Sequence, residues 1–371
     1  MDYSMPDECR VVVVIPALDE IGYIEACLGS ILGAVDALEN ENLVQVFIVD
    51  NDSHDGTDQF VQEMSKERAC VQLVREKTRG PGFARQTGAR YALARAEQRA
   101  KPVYDDFWII STDADIIVPP SWLADWLTIF DDRSGIIMGK GGFPQSFAQT
   151  NPNAHAVLKK IGQRIGVAEK IFGVINTGGF NLATERKSYS IAGPFAQPYR
   201  LLPNGHREIL AGEDWDFGTR ARAVGMSLSS TSLSPVDVDP RRYHAAPIEF
   251  FDGTAYEKEF LRVNVRGPSK DIDACLHEKL LEIGARKQCM YFIGKPILTD
   301  DTLLGKPEVR AFLGEGLADE MGRWIASTSR PSMFYARNEF HLEYLISFHA
   351  EFSDDVYQRL LIASAEKDGG G

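Results

Sequence analysis

The chain is poor in cysteine and has none in pairs. Its five (Cys9, Cys27, Cys70, Cys275, Cys289) are scattered without a CxxC spacing, which argues against zinc and for reduced thiols in a cytoplasmic protein. No apolar run approaches the ~20 residues that span a bilayer. The opening stretch, Met1-Asp2-Tyr3-Ser4-Met5-Pro6-Asp7-Glu8, is acidic and lacks a leader pattern. Basic residues are outnumbered, 40 Lys and Arg against 53 Asp and Glu, for a net charge of −13. With no positive stripe to track phosphates, a general nucleic-acid binder is excluded. A phosphorylated ligand at a local site is not. Internal repeats and low-complexity linkers are missing too. What is there is ordinary for a globular protein: 371 residues, 44% apolar and 25% charged. That length suits two domains, or one large α/β domain with an appendage.

The apolar pattern predicts alternating strands and helices. A β-branched run at 11–15 stops at Pro16 and reads as a buried strand. Ile24, Cys27, Leu28, Ile31 and Val35 follow at helical steps. Further strands are expected at 44–49, 71–74 and 107–110, with helices between them and after the last. Such alternation predicts a doubly wound, mostly parallel sheet with right-handed crossovers. Beyond residue 135 the pattern is mixed: a strand at 136–138, a helix at 152–171, a strand entered through glycines at 177–183 and a helix at 213–224. After residue 245 it is mainly helical, anchored by Phe250, Phe260, Leu280, Leu281, Phe340 and Phe348. The expected organisation is therefore a domain over 1–245 and a helical extension over 246–371.

Polar residues gather at the expected strand ends. Asp113 and Asp115 in Ser111-Thr112-Asp113-Ala114-Asp115 have period-2 spacing, so in extended chain they point the same way and can share a divalent cation. Pro16-Ala17-Leu18-Asp19-Glu20 and Asp50-Asn51-Asp52 end two more of the expected strands, and in a parallel sheet such ends converge on the edge at which open α/β sheets bind ligands. A carboxylate or amide there can accept from a base N–H or hold a ribose hydroxyl. In Arg79-Gly80-Pro81-Gly82-Phe83-Ala84-Arg85-Gln86, glycine permits close approach of backbone and a helix N-terminus favours anions. Arg79 and Arg85 are within chemical reason as diphosphate ligands. Finally, Gly212-Glu213-Asp214-Trp215-Asp216-Phe217 sets carboxylates at a helix start beside an apolar wall, where one can serve as a general base.

Taken in order, these motifs make residues 10–225 resemble the family 2 glycosyltransferases, which have the GT-A nucleotide-diphospho-sugar transferase fold. The stretches 14–20, 49–57, 80–88, 112–115, 176–183 and 212–217 carry the resemblance, with one departure at Gln86, where the family more often has Asn. The resemblance implies an α/β GT-A domain in which Pro16, Ala17, Leu18 and Glu20 border a nucleotide. Asp50, Asn51 or Asp52 would contact base or ribose, with Gly82 and Arg85 beside the donor. Asp113, Ala114 and Asp115 would match the metal–diphosphate motif, Asp115 as the more direct ligand and His244 as a third. Asp214, next to Glu213, would match the base, and Gly179, Asn181 and Trp215 would lie on the acceptor side.

The resulting expectation is an inverting, Mg2+- or Mn2+-dependent transfer from a nucleotide-diphosphate sugar to an acceptor hydroxyl. A retaining GT-A transferase, such as a glycosyl-glycerate synthase, shares the acidic pair but does not need Asp214. A non-catalytic sugar-nucleotide-binding protein would lack one of these carboxylates. A nucleotidyltransferase needs a glycine-rich signature after the first strand, which Pro16-Ala17-Leu18-Asp19-Glu20 is not. The expected partners are the nucleotide sugar and an acceptor that the sequence does not identify. The helical extension, with Phe250, Phe251, Tyr256 and Tyr335, either covers that acceptor or forms a homodimer. Both a soluble acceptor and a role peripheral to the membrane stand open.

Overall fold

The computed structural model describes residues 5–99, 107–173, 175, 177–197, 199–201, 207–209, 212–252, 270–289, 293–327 and 338–368. The two longest β-branched runs form β1 (Val11–Ala17) and β2 (Val44–Asp50), with nearly every residue buried. A strand covered on both faces has no polar side to turn outward, so it sits inside a parallel sheet. Along the chain there follow α1 (Ile24–Asp36), α2 (Thr57–Glu67), β3 (Val71–Arg75), α3 (Pro81–Glu97), β4 (Trp108–Thr112), β5 (Ile116–Ile117) and α4 (Trp122–Asp132). Next come β6 (Ile136–Gly142), α5 (Gln145–Thr150), α6 (Pro152–Phe172), β7 (Asn181–Glu185) and α7 (Arg186–Ala192). Then come β8 (Tyr199–Leu201), β9 (Arg207–Ile209), α8 (Glu213–Ala223) and β10 (Leu228–Val238).

Eight of these strands form one sheet in the order β3-β2-β1-β4-β7-β6-β10-β5. The β3-β2-β1-β4 half is parallel, as the sequence pattern requires. Antiparallel β7 then runs between β4 and β6, which makes the sheet mixed. Helices alternate with its strands along the chain, as expected of an α/β architecture. The α1 face of Ile24, Cys27, Leu28, Ile31 and Val35 is buried, as its spacing predicts. Trp108 of β4 stacks on Phe130 of α4 with ring centroids 4.0 Å apart. Helix α3 lies close on β1 and β2 because Gly88 has no side chain. A Cβ there would sit 2.4 Å from Val14 Cγ1 and 2.8 Å from Val49 Cγ2.

The sequence pattern misses β10. Its Leu-Ser-Ser-Thr-Ser-Leu-Ser-Pro run looks like loop. Its pairing with β6 shifts register between Thr231 and Val236, and Ser234 there has φ 49°. Such a bulge accommodates Pro235 within a strand.

The chain divides into two compact units. One comprises Met1–Pro144, Thr177–Pro198 and Ile209–Asp239; the other comprises Gln145–Asn176, Tyr199–Glu208 and Pro240–Gly371. The units interleave along the chain, whereas the sequence reading draws one boundary at 245. Helices α5 and α6 group with the later helices. Those are α9 (Arg241–Ala245), α10 (Pro247–Asp252), α11 (His277–Cys289), α12 (Lys295–Thr299), α13 (Pro307–Leu313), α14 (Glu315–Ser327) and α15 (Asn338–Asp368). This mainly helical unit packs α11, α13 and α15 around α6. Leu280, Leu281, Phe251 and Phe348 are core residues there. The Asp271 carboxylate caps α6, accepting from the backbone N–H groups of Asn153 (2.9 Å) and Ala154 (3.1 Å). Tyr256, Phe260 and Tyr335 lie outside the described residues, as does the side chain of Phe340. Among the described residues, no helix is long and apolar enough to cross a membrane.

Candidate active site

The parallel strands deliver their polar ends to one edge of the first unit. In the β1–β2 register Ala17 faces Asp50, and the Ala17 carbonyl accepts from Asn51 N–H at 2.8 Å. The two loops are laced together. Asp19, with φ 56°, accepts from His54 N–H through Oδ1 (2.7 Å) and donates its own N–H to Ser53 Oγ (3.0 Å). Glu20 N–H bonds Thr57 Oγ1 at 2.8 Å. Pro16, Leu18 and Glu20 are partly exposed along this edge, while Ala17 and Asp50 are buried.

Asn51 is 2% exposed, and its amide holds the loop after β3. Nδ2 donates to the Glu76 and Thr78 carbonyls at 3.1 and 2.7 Å, and Oδ1 accepts from Gly80 N–H at 2.8 Å. Asp52, in the left-handed region at φ 68°, ion-pairs with Arg79 at 3.0 Å. Asn51 thus shapes the loop, and Asp52 keeps Arg79 close to the β2 end.

At the end of β4, Asp113 is partly exposed and Asp115 is 8% exposed. Cys27 of α1 donates to the Asp113 carbonyl at 3.4 Å. Burial pushes the Cys27 thiol upward, and the Asp115, Asp113 and Glu20 carboxylates push the same way. That thiol therefore stays neutral in an acidic neighbourhood. A pair of hard oxygen donors, with other positions left for water and phosphate oxygens, suits Mg2+ or Mn2+. His244 was the residue expected as a third ligand. It lies on α9 in the other unit, beside Phe147 and Tyr243. Among the described residues no group of three or more His, Cys, Asp or Glu gathers as a metal site.

Two expectations give way. The Arg85 side chain, expected on a diphosphate, is only 4% exposed and bonds protein throughout. Nε donates to Glu213 Oε1 (3.1 Å), Nη1 to Ser111 Oγ and to the Thr112 and Gly179 carbonyls (3.3 and 3.2 Å), and Nη2 to Asp113 Oδ1. Burial works against its charge, but Asp113, Glu213 and Asp214 outweigh that and hold it protonated. Gly82 likewise faces protein. Its N–H donates to Gln197 Oε1 at 2.8 Å, and a Cβ would meet the Ala196 carbonyl at 2.7 Å.

Asn181 is also not free for an acceptor. It is fully buried; Oδ1 accepts from the indoles of Trp122 (3.1 Å) and Trp126 (3.3 Å), while Nδ2 donates to the Lys140 carbonyl at 2.9 Å. It ties α4, β6 and β7 together.

Glu213 and Asp214 start α8 behind Gly212, whose φ of 97° suits glycine. Glu213 is buried and engaged with Arg85. Asp214 is half-buried, its Oδ2 accepting from Gly179 N–H at 2.6 Å and its Oδ1 from Trp215 N–H at 2.8 Å. Burial raises the Asp214 carboxyl and the neighbouring Glu213 carboxylate pushes it further. The Arg85 charge and the two N–H donors offset part of this, leaving it at about 7. Thr177, which the sequence does not flag, fastens this turn: its Oγ1 donates to the Asp214 carbonyl at 2.7 Å, and Gly218 leaves it room. Trp215 is partly exposed beside it.

Residues 12–190 match the model of glycosyl transferase family 2. That stretch is a family 2 glycosyltransferase domain. The transferase domain so defined runs from β1 into α7, and the Asp113 and Asp115 pair falls within it. Among solved structures the chain is similar to mannosyltransferase PcManGT from Pyrobaculum calidifontis in complex with GDP-Man and Mn2+. The identity is 19% and the TM-score 0.45, over 93% of this chain and 86% of that one. It is also similar to S. aureus TarS, at 16% identity and TM-score 0.43, over 95% of this chain and 55% of that one. For TarS 1-349 in complex with UDP-GlcNAc the values are 15% and 0.43, over 97% and 92%. No curated protein matches the sequence.

Proposed function

We propose that this glycosyltransferase is an inverting enzyme that moves a sugar from a nucleotide-diphosphate donor to an acceptor hydroxyl, with Asp214 as general base. The observation that carries this reading is the division of labour between adjacent carboxylates. Glu213 is neutralised by Arg85, whereas Asp214 is half-buried, raised to about 7 and fixed in orientation by two backbone donors. A base with a pKa close to the working pH is the efficient one.

Asp214 takes the acceptor proton as the acceptor oxygen attacks the anomeric carbon, on the face opposite the departing nucleoside diphosphate. The strand ends at Pro16, Ala17, Leu18, Glu20 and Asp50 border the nucleotide, with Asp52 and the loop that Asn51 shapes beside it. Asp115, with Asp113, would hold a Mg2+ or Mn2+ ion, which when bound offsets charge on the leaving diphosphate. Gly179 and Trp215 flank the acceptor side through their contacts with Asp214.

The test is turnover of a panel of nucleotide sugars with Mn2+, followed by NMR of the product's anomeric configuration. Inversion that is lost in Asp214→Asn supports the reading. Retention of configuration, or full activity in that variant, overturns it.

A further inference from the structure

One guanidinium links the carboxylate assigned to the metal with the glycine that orients the base. Arg85 reaches from α3 to Asp113 after β4, to Glu213 at the start of α8, and to the Gly179 carbonyl before β7. Gly179 is held on both sides of its Cα: its C=O accepts from Arg85 at 3.2 Å, and its N–H donates to Asp214 Oδ2 at 2.6 Å. No side chain fits at Gly179, since a Cβ would lie 2.4 Å from Arg85 Nη2 and 2.5 Å from its Cζ. The guanidinium is sealed from solvent, its charge balanced by Asp113 and Glu213. Nothing in this arrangement puts Arg85 against a ligand.

We infer that Arg85 is a positioning residue with two opposed effects: it restrains Asp113 from binding the cation fully, and it sets Asp214 for catalysis through Gly179. This inference rests on the proposed roles of Asp113 and Asp214. The fixed positive charge on Asp113 Oδ1 competes with a cation for that oxygen, so ligation falls mainly to Asp115. The same charge and fork keep Gly179, and therefore Asp214, in place. Lys cannot replace it, because a single ammonium cannot span Asp113, Glu213 and Gly179 at once.

Two variants test this. Arg85→Lys keeps the charge and loses the fork. Arg85→Met combined with Glu213→Gln removes the buried cation together with one of its counter-charges, so that Glu213 is not left as an unpaired ion. Circular dichroism and Tm establish that each is folded. Binding of Mn2+ alone is read by electron paramagnetic resonance, and kcat and donor KM with whichever nucleotide sugar the wild type turns over. In Arg85→Lys, kcat is expected to fall on the order of 10²-fold, the cost of a small misplacement, with donor KM little changed. In the double variant Mn2+ is expected to bind severalfold tighter while kcat falls at least as far. Loosened structure would instead weaken both. Mn2+ affinity that stays the same or falls in the double variant overturns the inference, as does wild-type kcat in Arg85→Lys. A wild type without turnover defeats the proposed function, yet leaves the Mn2+ comparison to decide the role of Arg85.

Discussion

At the scale of single residues, adjacent acids are made unlike by their neighbours. Glu213 and Asp214 are chemically alike at a helix start; the family resemblance picks Asp214 as the base, and the buried ion pair of Glu213 with Arg85 sets the two apart in space. The consequence is a pH profile. Asp214 must be deprotonated to act, so with its carboxyl raised to about 7, kcat is expected to climb with pH up to that value and level off above it. An ordinary aspartate would place the limb near ~4. Glu213→Gln removes a charge that raises Asp214, so the limb is expected to move to lower pH. A limb that stays in place removes Glu213 from the explanation. Asp214→Asn is expected to lower kcat by about 10²–10⁴-fold. Asp115→Ala should abolish stimulation by Mn2+ while leaving the fold intact, and normal metal-stimulated turnover in that variant removes Asp115 from the metal site.

At the scale of elements, close approach and saturated polar groups matter more than intrinsic propensity. Gly88→Ala improves helix propensity on paper, yet its methyl would overlap Val14 and Val49. It is therefore expected to destabilise by about 1–3 kcal/mol, read from the urea midpoint at constant m. Asn181→Ala orphans the Trp122 and Trp126 indoles and the Lys140 carbonyl. The expected cost is about 1–3 kcal/mol for each group left without a partner. If Asn181 touched the acceptor instead, stability would hold and acceptor KM would rise. The elements themselves were legible to unequal degrees. β1, β2 and α1 follow from runs and periodicity that admit one reading, and the acidic pair after β4 from its place at a strand end. β10 was not legible, because a serine-rich strand with a proline has no local signal and exists through its pairing with β6. Nor did the β4–β7–β6 antiparallel insertion follow, since strand direction is a property of long-range pairing.

At the scale of the whole molecule, the proposed function asks an acidic chain of net charge −13 to bind an anionic donor. A divalent cation at Asp113 and Asp115 is the expected remedy for that repulsion. A nucleotide sugar that binds the native state is therefore expected to raise Tm in Mn2+ and not in EDTA. Equal stabilisation in both would mean that the donor does not depend on the metal. By itself the sequence determined the alternating α/β architecture, the edge at which the acids collect and the family, because strand burial and motif spacing are written locally. Only the tertiary structure decided what each polar residue does there. Arg85, Gly82, Asn51 and Asn181 look like ligand contacts in one dimension, and each turns inward. A buried donor or acceptor must find its partner wherever the fold brings one, and those partners lie up to 128 residues away in the chain.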